Sequence, residues 1–408
     1  MHVLFVHRAF PAQFGRLALE LAQRYGWKCT CLFQHLSRCP SPTPAMRERL
    51  ELCPIQGGPP PGKGDQVPWA QVHGQALEMG RAVFDTVRAR GLRPDLVVGH
   101  GGLTPTLLLR ETLACPLVDY CEFYFAPRGR DLTYRLDLPP IEEALFYPRC
   151  INAATLLNLA AVDKGYAPTT WQRQSFPQRF WPKIEVHFDG IDTELYQPRQ
   201  APRVLGGVTL PEGTRIVTYA ARGFESMRGF DLFIDVAQRI LRERSDVVFA
   251  VAGDEGVYYG WDKLRTGGTS FKDWVLRRGD VDLSRFVFLG HIEPEQLANV
   301  LCLSDLHIYL TVPFVLSWSL FNALACGCIV LAGDVEPVRE VLEPDRNCLL
   351  EPLFDRDRLA ETALRVLDDP AEFQPLRKEA RALVSERFAL DVCVPALREF
   401  LERTANRK

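Results

Sequence analysis

The sequence lacks several features that would decide its class at once. Its 408 residues carry a formal net charge of only −3. That excludes the basic excess expected of a nucleic-acid binder. Its longest apolar runs, such as Ile151–Val162, are too short or too interrupted to span a bilayer. It opens on the strand-like run His2-Val3-Leu4-Phe5-Val6, not on a basic segment with a cleavage site, so no signal peptide is expected. Neither internal repeats nor low-complexity tracts are visible. Twelve cysteines are present, but the close pairs Cys29/Cys31 and Cys326/Cys328 have one intervening residue, where zinc sites prefer two to four. Buried free thiols in a reducing cytoplasm are the expectation, with no metal and no cofactor.

What is present is alternation. Short apolar runs at His2–His7, Trp27–Phe33, Asp95–His100 and Pro116–Cys121 read as strands. Gln13–Tyr25 and Ala70–Arg90 carry apolar residues at helical spacing, and a helix is expected from Thr104. Pro40–Pro68 is rich in Pro and Gly and reads as an irregular excursion. Lys183–His187 is a strand before the Asp189-Gly190 turn. The alternation restarts with Arg215–Ala221, Val247–Gly253, Phe286–Leu289, Leu306–Thr311 and Ile329–Ala332. Strands alternating with helices imply parallel sheets. The expected fold is α/β, with two Rossmann-like domains facing one cleft. Their bounds are 1–195, a linker at 196–213, 214–387, and a C-terminal helix at 388–408 that packs back towards the first domain.

Two strand-to-helix loops carry the candidate chemistry. Arg222-Gly223-Phe224-Glu225-Ser226-Met227-Arg228-Gly229 follows one strand. Glycine lets backbone approach a ligand, arginine forks onto phosphate oxygens, and a helix N-terminus adds partial positive charge. Together these make a diphosphate site; the plain alternative is two surface arginines on a loop. The second loop runs from Tyr309 to Gly327. Ser317 or Ser319 is placed to cap its helix, Asn322 lies one turn in, and Gly327 suits the helix end. Arg8, Arg16, Arg24, Lys28, Arg38, Arg47 and Arg49 crowd the first fifty residues. They read as solvated helix faces, or else as contacts to an anionic acceptor or membrane surface.

These stretches resemble the bacterial family 4 glycosyltransferases, retaining enzymes of GT-B fold, over nearly the whole chain. The resemblance is carried by Phe5–Phe14, His100-Gly101-Gly102, Asp119–Tyr124, Pro168–Gln172, Asp189–Thr193 and the two loops above. It implies sugar transfer from a UDP- or GDP-sugar to a glycan or other acceptor, without a metal. It implies Arg222 and Arg228 on the donor diphosphate, with Gly223, Ser317, Ser319 and Leu320 beside them. It places His291 and Ile292 at the base, and His100 near the reacting sugar. Phe10, Gln13, Phe14, Gly15 and Glu122 border the acceptor, and Asp254, Glu336 and Glu340 lie near the donor. One departure stands out. The family usually has two glutamates separated by seven residues, where this chain has Phe314 and Asn322. Asn322 can still accept from ribose hydroxyls, but without charge assistance.

Polysaccharide biosynthesis is the family's context. The expected location is the cytoplasm, with peripheral membrane contact left open and the oligomeric state undetermined. The competing classes are a nucleotide-sugar epimerase of the same fold, which needs carboxylates and histidines around the sugar, and a weakly active or non-catalytic nucleotide-sugar binder, which the Asn322 departure favours. A phosphorylase with a lysine-bound cofactor is disfavoured by the short chain.

Overall fold

A computed structural model describes residues 1–37, 40–60, 69–126, 128–138, 143–279 and 281–406. The chain divides into two compact units. The first comprises Met1–Pro127, Glu142–Gly190 and Leu390–Lys408; the second comprises Arg128–Ile141 and Ile191–Ala389. The stretch Arg128–Ile141 thus counts with the second unit, although a boundary at 195 assigns it to the first. Arg135 shows why. Its guanidinium forks onto the buried Asp231 at 2.6 and 3.0 Å and reaches the Ser226 carbonyl at 3.1 Å. A bidentate, charge-assisted pair of this kind fixes a loop firmly.

The first unit holds β1 (His2–Val6), β2 (Ala9–Phe10), β3 (Lys28–Phe33), β4 (His35–Leu36), β5 (Glu51–Pro54), β6 (Leu96–Gly99), β7 (Leu117–Tyr120), β8 (Lys164–Ala167) and β9 (Ile184–Val186). Seven of them form a parallel sheet in the order β5-β3-β1-β6-β7-β8-β9, while β2 and β4 pair separately. The helices are α1 (Phe14–Tyr25), α2 (Pro44–Arg49), α3 (Trp69–Ala89), α4 (Glu143–Ala161) and α5 (Thr170–Ser175). Successive strand residues point to opposite faces. Val3 and Phe5 accordingly join one core with Leu17 and Leu21 of α1, while Leu4 and Val6 join another with Met79 and Val83 of α3. The C-terminal helix Leu390–Ala405 adds Leu390, Val394, Leu397, Phe400 and Leu401 to the first of these cores. Their helical spacing makes one apolar stripe.

The second unit holds β10 (Val204–Leu205), β11 (Val208–Thr209), β12 (Arg215–Gly223), β13 (Val247–Asp254), β14 (Phe286–Gly290), β15 (Leu306–Tyr309), β16 (Val330–Gly333) and β17 (Leu349–Glu351). Its six-stranded parallel sheet has the order β14-β13-β12-β15-β16-β17. The helices are α6 (Phe230–Glu243), α7 (Asp262–Arg265), α8 (Phe271–Leu276), α9 (Pro294–Cys302), α10 (Trp318–Ala325), α11 (Glu336–Val341), α12 (Arg356–Asp368) and α13 (Gln374–Leu383). In each sheet the strand order reverses beside the first strand, at β1/β6 and at β12/β15. Ligands of open α/β sheets sit beyond the carboxyl ends of strands at such a point.

Several local readings are corrected. The excursion Pro40–Pro68 contains α2 and β5 in its described part; residues 61–68 lie outside the described residues. Thr43 caps α2 by accepting from Met46 N at 3.2 Å, with Pro44 in the first turn. No long helix follows Thr104. A β-bridge joins Thr104 to His100, and a 3-10 turn spans Leu107–Glu111. The Asn158 side chain accepts from Thr106 N and Leu107 N at 2.7 and 3.0 Å and holds that backbone off the helical path. The linker carries the β10–β11 hairpin, turned by Gly206 and Gly207 at φ 55° and 82°. Strands β8 and β17 were not expected.

Among the described residues no helix is long and apolar enough to cross a membrane. Arg16 and Arg24 pair with Glu20, Arg24 also with Asp391, and Lys28 with Glu51. These ion pairs support solvated helix faces for that basic stretch; Arg38 lies outside the described residues. Eleven cysteines among the described residues are free, most of them buried; Cys39 is not described.

Candidate active site

Each switch point holds a cluster of polar side chains. In the first unit, β1 ends at His7 and β6 at His100, and their rings meet edge-on at 5.2 Å. Tyr120, at the end of β7, lies 5.4 Å from His100. Phe14, in the first turn of α1, packs edge-on against both His7 and Tyr120. His100 is almost fully buried, and its Nδ1 has no partner among the described residues. Its Nε2 stands 3.3 Å from Glu122 Oε2, without hydrogen-bond alignment. Gln13 reaches the other Glu122 oxygen at 3.5 Å. Behind them, the buried Asp119 accepts from Gly101 N at 2.6 Å. Burial pushes its carboxyl up to about 6, against the pull of Asn158, His100 and the Gly101 N–H.

Three of the five residues expected at the acceptor are thus gathered here: Gln13, Phe14 and Glu122. Phe10 packs its ring 5.7 Å from Phe33. Gly15 serves backbone closeness, since a Cβ there would lie 2.2 Å from Pro11 Cβ.

In the second unit, β12 ends at Arg222-Gly223, and a 3-10 turn, Ser226–Arg228, leads through Gly229 into α6. Gly229 sits at φ 69°, and a Cβ there would stand 2.2 Å from the Leu310 carbonyl. Only glycine meets both demands. Arg222 has no carboxylate partner among the described residues; its guanidinium lies 4.0 Å over the Tyr258 ring. Arg228 is buried between Tyr259 and Phe314, at 5.5 and 5.6 Å, and donates to the Val315 carbonyl at 3.1 Å. His291 Nε2 contacts the Arg222 carbonyl at 3.1 Å and Asp254 at 3.6 Å. Ile292 turns its side chain to the apolar cluster of Leu205 and Ile216.

The loop after β15 brings in α10. Ser317 occupies the N-cap position, but its hydroxyl meets Ser319 Oγ at 2.7 Å and does not cap the backbone. The Leu320 N–H goes to the Ser317 carbonyl at 3.1 Å. Asn322 is buried, and its side-chain amide has no partner among the described residues. Gly327 ends the helix at φ 72°. Glu336 lies beside a pocket of about 470 Å³ lined also by Pro313, Tyr134 and Arg339. Glu340 is exposed on α11.

Residues 56–196 match the model described as glycosyl transferase family 4 group, and residues 206–383 match glycosyl transferases group 1. The chain is a member of the family 4 glycosyltransferases, with the GT-B fold. Sucrose-phosphate synthase from Thermosynechococcus elongatus has a similar structure, at TM-score 0.73 and 17% identity, over 99% of this chain and 98% of that one. Anabaena HepE, solved in complex with UDP-glucose, aligns at TM-score 0.69 and 16% identity, over 99% of this chain and 100% of that one. In sequence, α-D-kanosaminyltransferase of Streptomyces kanamyceticus is 23% identical over 175 residues, 43% of this chain. The chain spans only 42% of that curated relative's length.

Sequence reasoning passed over four residues of this glycosyltransferase that the structure brings to the two clusters: His7, Glu225, Tyr258 and Tyr259. Glu225 lay in plain view between the arginines. Burial pushes its carboxyl up to about 7, against the nearby Arg228 charge and two backbone N–H bonds. Tyr258 and Tyr259 follow β13 in a glycine-containing loop, and an aromatic pair there was the available signal.

Proposed function

We propose that this glycosyltransferase moves a sugar from a UDP- or GDP-sugar to a hydroxyl of a glycan or other acceptor, with retention, using protein cations in place of a metal. The observation that carries this reading is the pair of arginines at the end of β12. Among the described residues Arg222 has an aromatic face but no carboxylate partner, and Arg228 donates to the Val315 carbonyl and stands 3.8 Å from Glu225, its fork not taken up. Cations with spare donors favour an anion. HepE was solved with UDP-glucose, which supports a uridine nucleotide-sugar as the first donor to try.

In this reading Arg222, Arg228, Gly223 and the first turn of α10 at Ser317, Ser319 and Leu320 take the diphosphate. The backbone of His291 and Ile292 takes the base beside Asp254, and Asn322 takes the ribose. Glu336 and Glu340 lie to the sugar side. His100 orients the transferred sugar, while Phe10, Gln13, Phe14, Gly15 and Glu122 border the acceptor. Negative charge develops on the departing diphosphate, and preorganised cations stabilise it there. The acceptor attacks the face from which the diphosphate leaves, so no nucleophilic carboxylate is needed. Polysaccharide biosynthesis in the cytoplasm, with peripheral membrane contact, is the setting this reading expects.

Thermal unfolding against a panel of nucleotides tests it. A ligand at about 100 times its dissociation constant stabilises by about 2.7 kcal/mol. One nucleotide series should raise the midpoint, and Arg222→Ala should abolish the shift. No shift with any nucleotide would sink the reading. Epimerisation is the second reading, favoured by the His100–Glu122 pair at 3.3 Å. Sugars interconverting with nucleotide still attached would decide for it.

A further inference from the structure

Glu225 has no part in the roles above, yet its side chain is fully buried in the loop between the two arginines. Burying a carboxylate is costly unless its oxygens are used. Here Oε2 accepts the backbone N–H groups of Tyr258 at 2.7 Å and Tyr259 at 3.0 Å. These two residues carry the rings that face the arginines, Tyr258 under Arg222 and Tyr259 beside Arg228. The slot for the first ring is built into the backbone. A Cβ on Gly223 would stand 2.8 Å from Tyr258 Cδ2 and 2.1 Å from the Gly256 carbonyl, so a side chain there would displace the ring or its loop. The far end of the ring is tied as well, because the Tyr258 hydroxyl donates to Asp254 at 2.6 Å.

We propose that Glu225, Tyr258 and Tyr259 form a positioning clamp that sets both arginines for a nucleoside diphosphate. The proposal rests on the diphosphate reading of the second unit. The carboxylate fixes the loop, and the rings fix the guanidinium planes. A free arginine side chain loses rotamer entropy when it engages a ligand. A ring face removes that cost in advance and leaves the positive charge available. A carboxylate partner would instead compete with phosphate. Glu225 itself stays 3.8 Å from Arg228 Nε, so the guanidinium fork is not taken up.

Calorimetric titration of the full chain with UDP, GDP, uridine and guanosine tests the clamp. The ratio of nucleoside to nucleoside-diphosphate dissociation constants isolates the diphosphate contact. Tyr258→Ala should lower that ratio about two- to fivefold, the scale of a cation–π contact at an exposed arginine, and leave nucleoside affinity unchanged. Tyr258→Phe keeps the ring and should restore the ratio. Glu225→Ala should act like Tyr258→Ala, and Glu225→Gln should restore, because its amide oxygen still accepts both N–H groups. If Glu225→Ala fails to fold, the Tyr258 variants decide alone. A large wild-type ratio that Tyr258→Ala leaves unchanged, or equal weakening of nucleoside and diphosphate, overturns the clamp and spares the donor reading. A wild-type ratio near unity for both bases overturns the donor reading and the clamp with it.

Discussion

The two units are built alike and furnished differently. Both are parallel sheets whose strand order reverses beside the first strand, at β1/β6 and β12/β15. At the first reversal stand two histidines, Tyr120 and the carboxylates Asp119 and Glu122. At the second stand two arginines resting on aromatic rings. The sheet decides where polar side chains can gather, because strand ends leave backbone groups and space uncovered. The loops decide which sign of charge gathers there. Histidine beside carboxylate suits hydroxyl groups, and arginine whose guanidinium fork is left free suits phosphate.

Four changes would break or sharpen this division. Arg222→Ala or Arg228→Ala should cost about 10²-fold or more in transfer rate, by analogy with losing one oxyanion donor. Initial rates of nucleotide release in the presence of acceptor measure it, and a loss below about tenfold would remove the arginines from the chemistry. His100→Ala should cost about 10- to 100-fold in rate, the scale of one lost buried hydrogen bond to substrate, with UDP affinity unchanged. If UDP binding weakens as it does for Arg222→Ala, the two clusters do not divide the work.

The third change concerns pH. Asp119 and Glu225 both have carboxyl groups raised by burial, to about 6 and about 7. A raised carboxyl contributes stability that is complete below its unfolded value and lost as pH rises through its folded value. Each group costs at most about 1.4 kcal/mol per pH unit across that window. Urea midpoints should therefore show Asp119→Asn removing a decline that ends near pH 6, and Glu225→Gln one that ends near pH 7. A variant that leaves the decline in place would contradict the burial of that carboxyl. The smallest effect is expected from Asn322→Glu. Charge-assisted acceptance should tighten UDP binding about fivefold, and calorimetry would detect it. Weaker binding would mean that Asn322 does not face the ribose.

Much of this was legible in the chain. The apolar runs at Val3–Val6 and Val247–Gly253 are strands because they are buried on both faces of a sheet, and such runs carry their own signature. The place of Arg222, Gly223 and Arg228 in the loop after β12 was legible because an apolar run before a glycine-containing loop marks a strand end. Less visible was α2, whose signal was the single cap at Thr43, set among prolines. The backbone after Thr104 was not legible at all, because Asn158, distant in sequence, takes its N–H groups.

The sequence by itself determined the parallel α/β class, the two-unit chain and the residue types at each strand end, because hydrophobic period and glycine placement are local properties. Tertiary structure alone decided the company those residues keep. The pairing of His100 with Glu122, the return of Arg128–Ile141 to the second unit through Arg135, and the hold of Glu225 on Tyr258 and Tyr259 all join residues far apart in the chain. Such contacts depend on burial and distance, which no local pattern encodes.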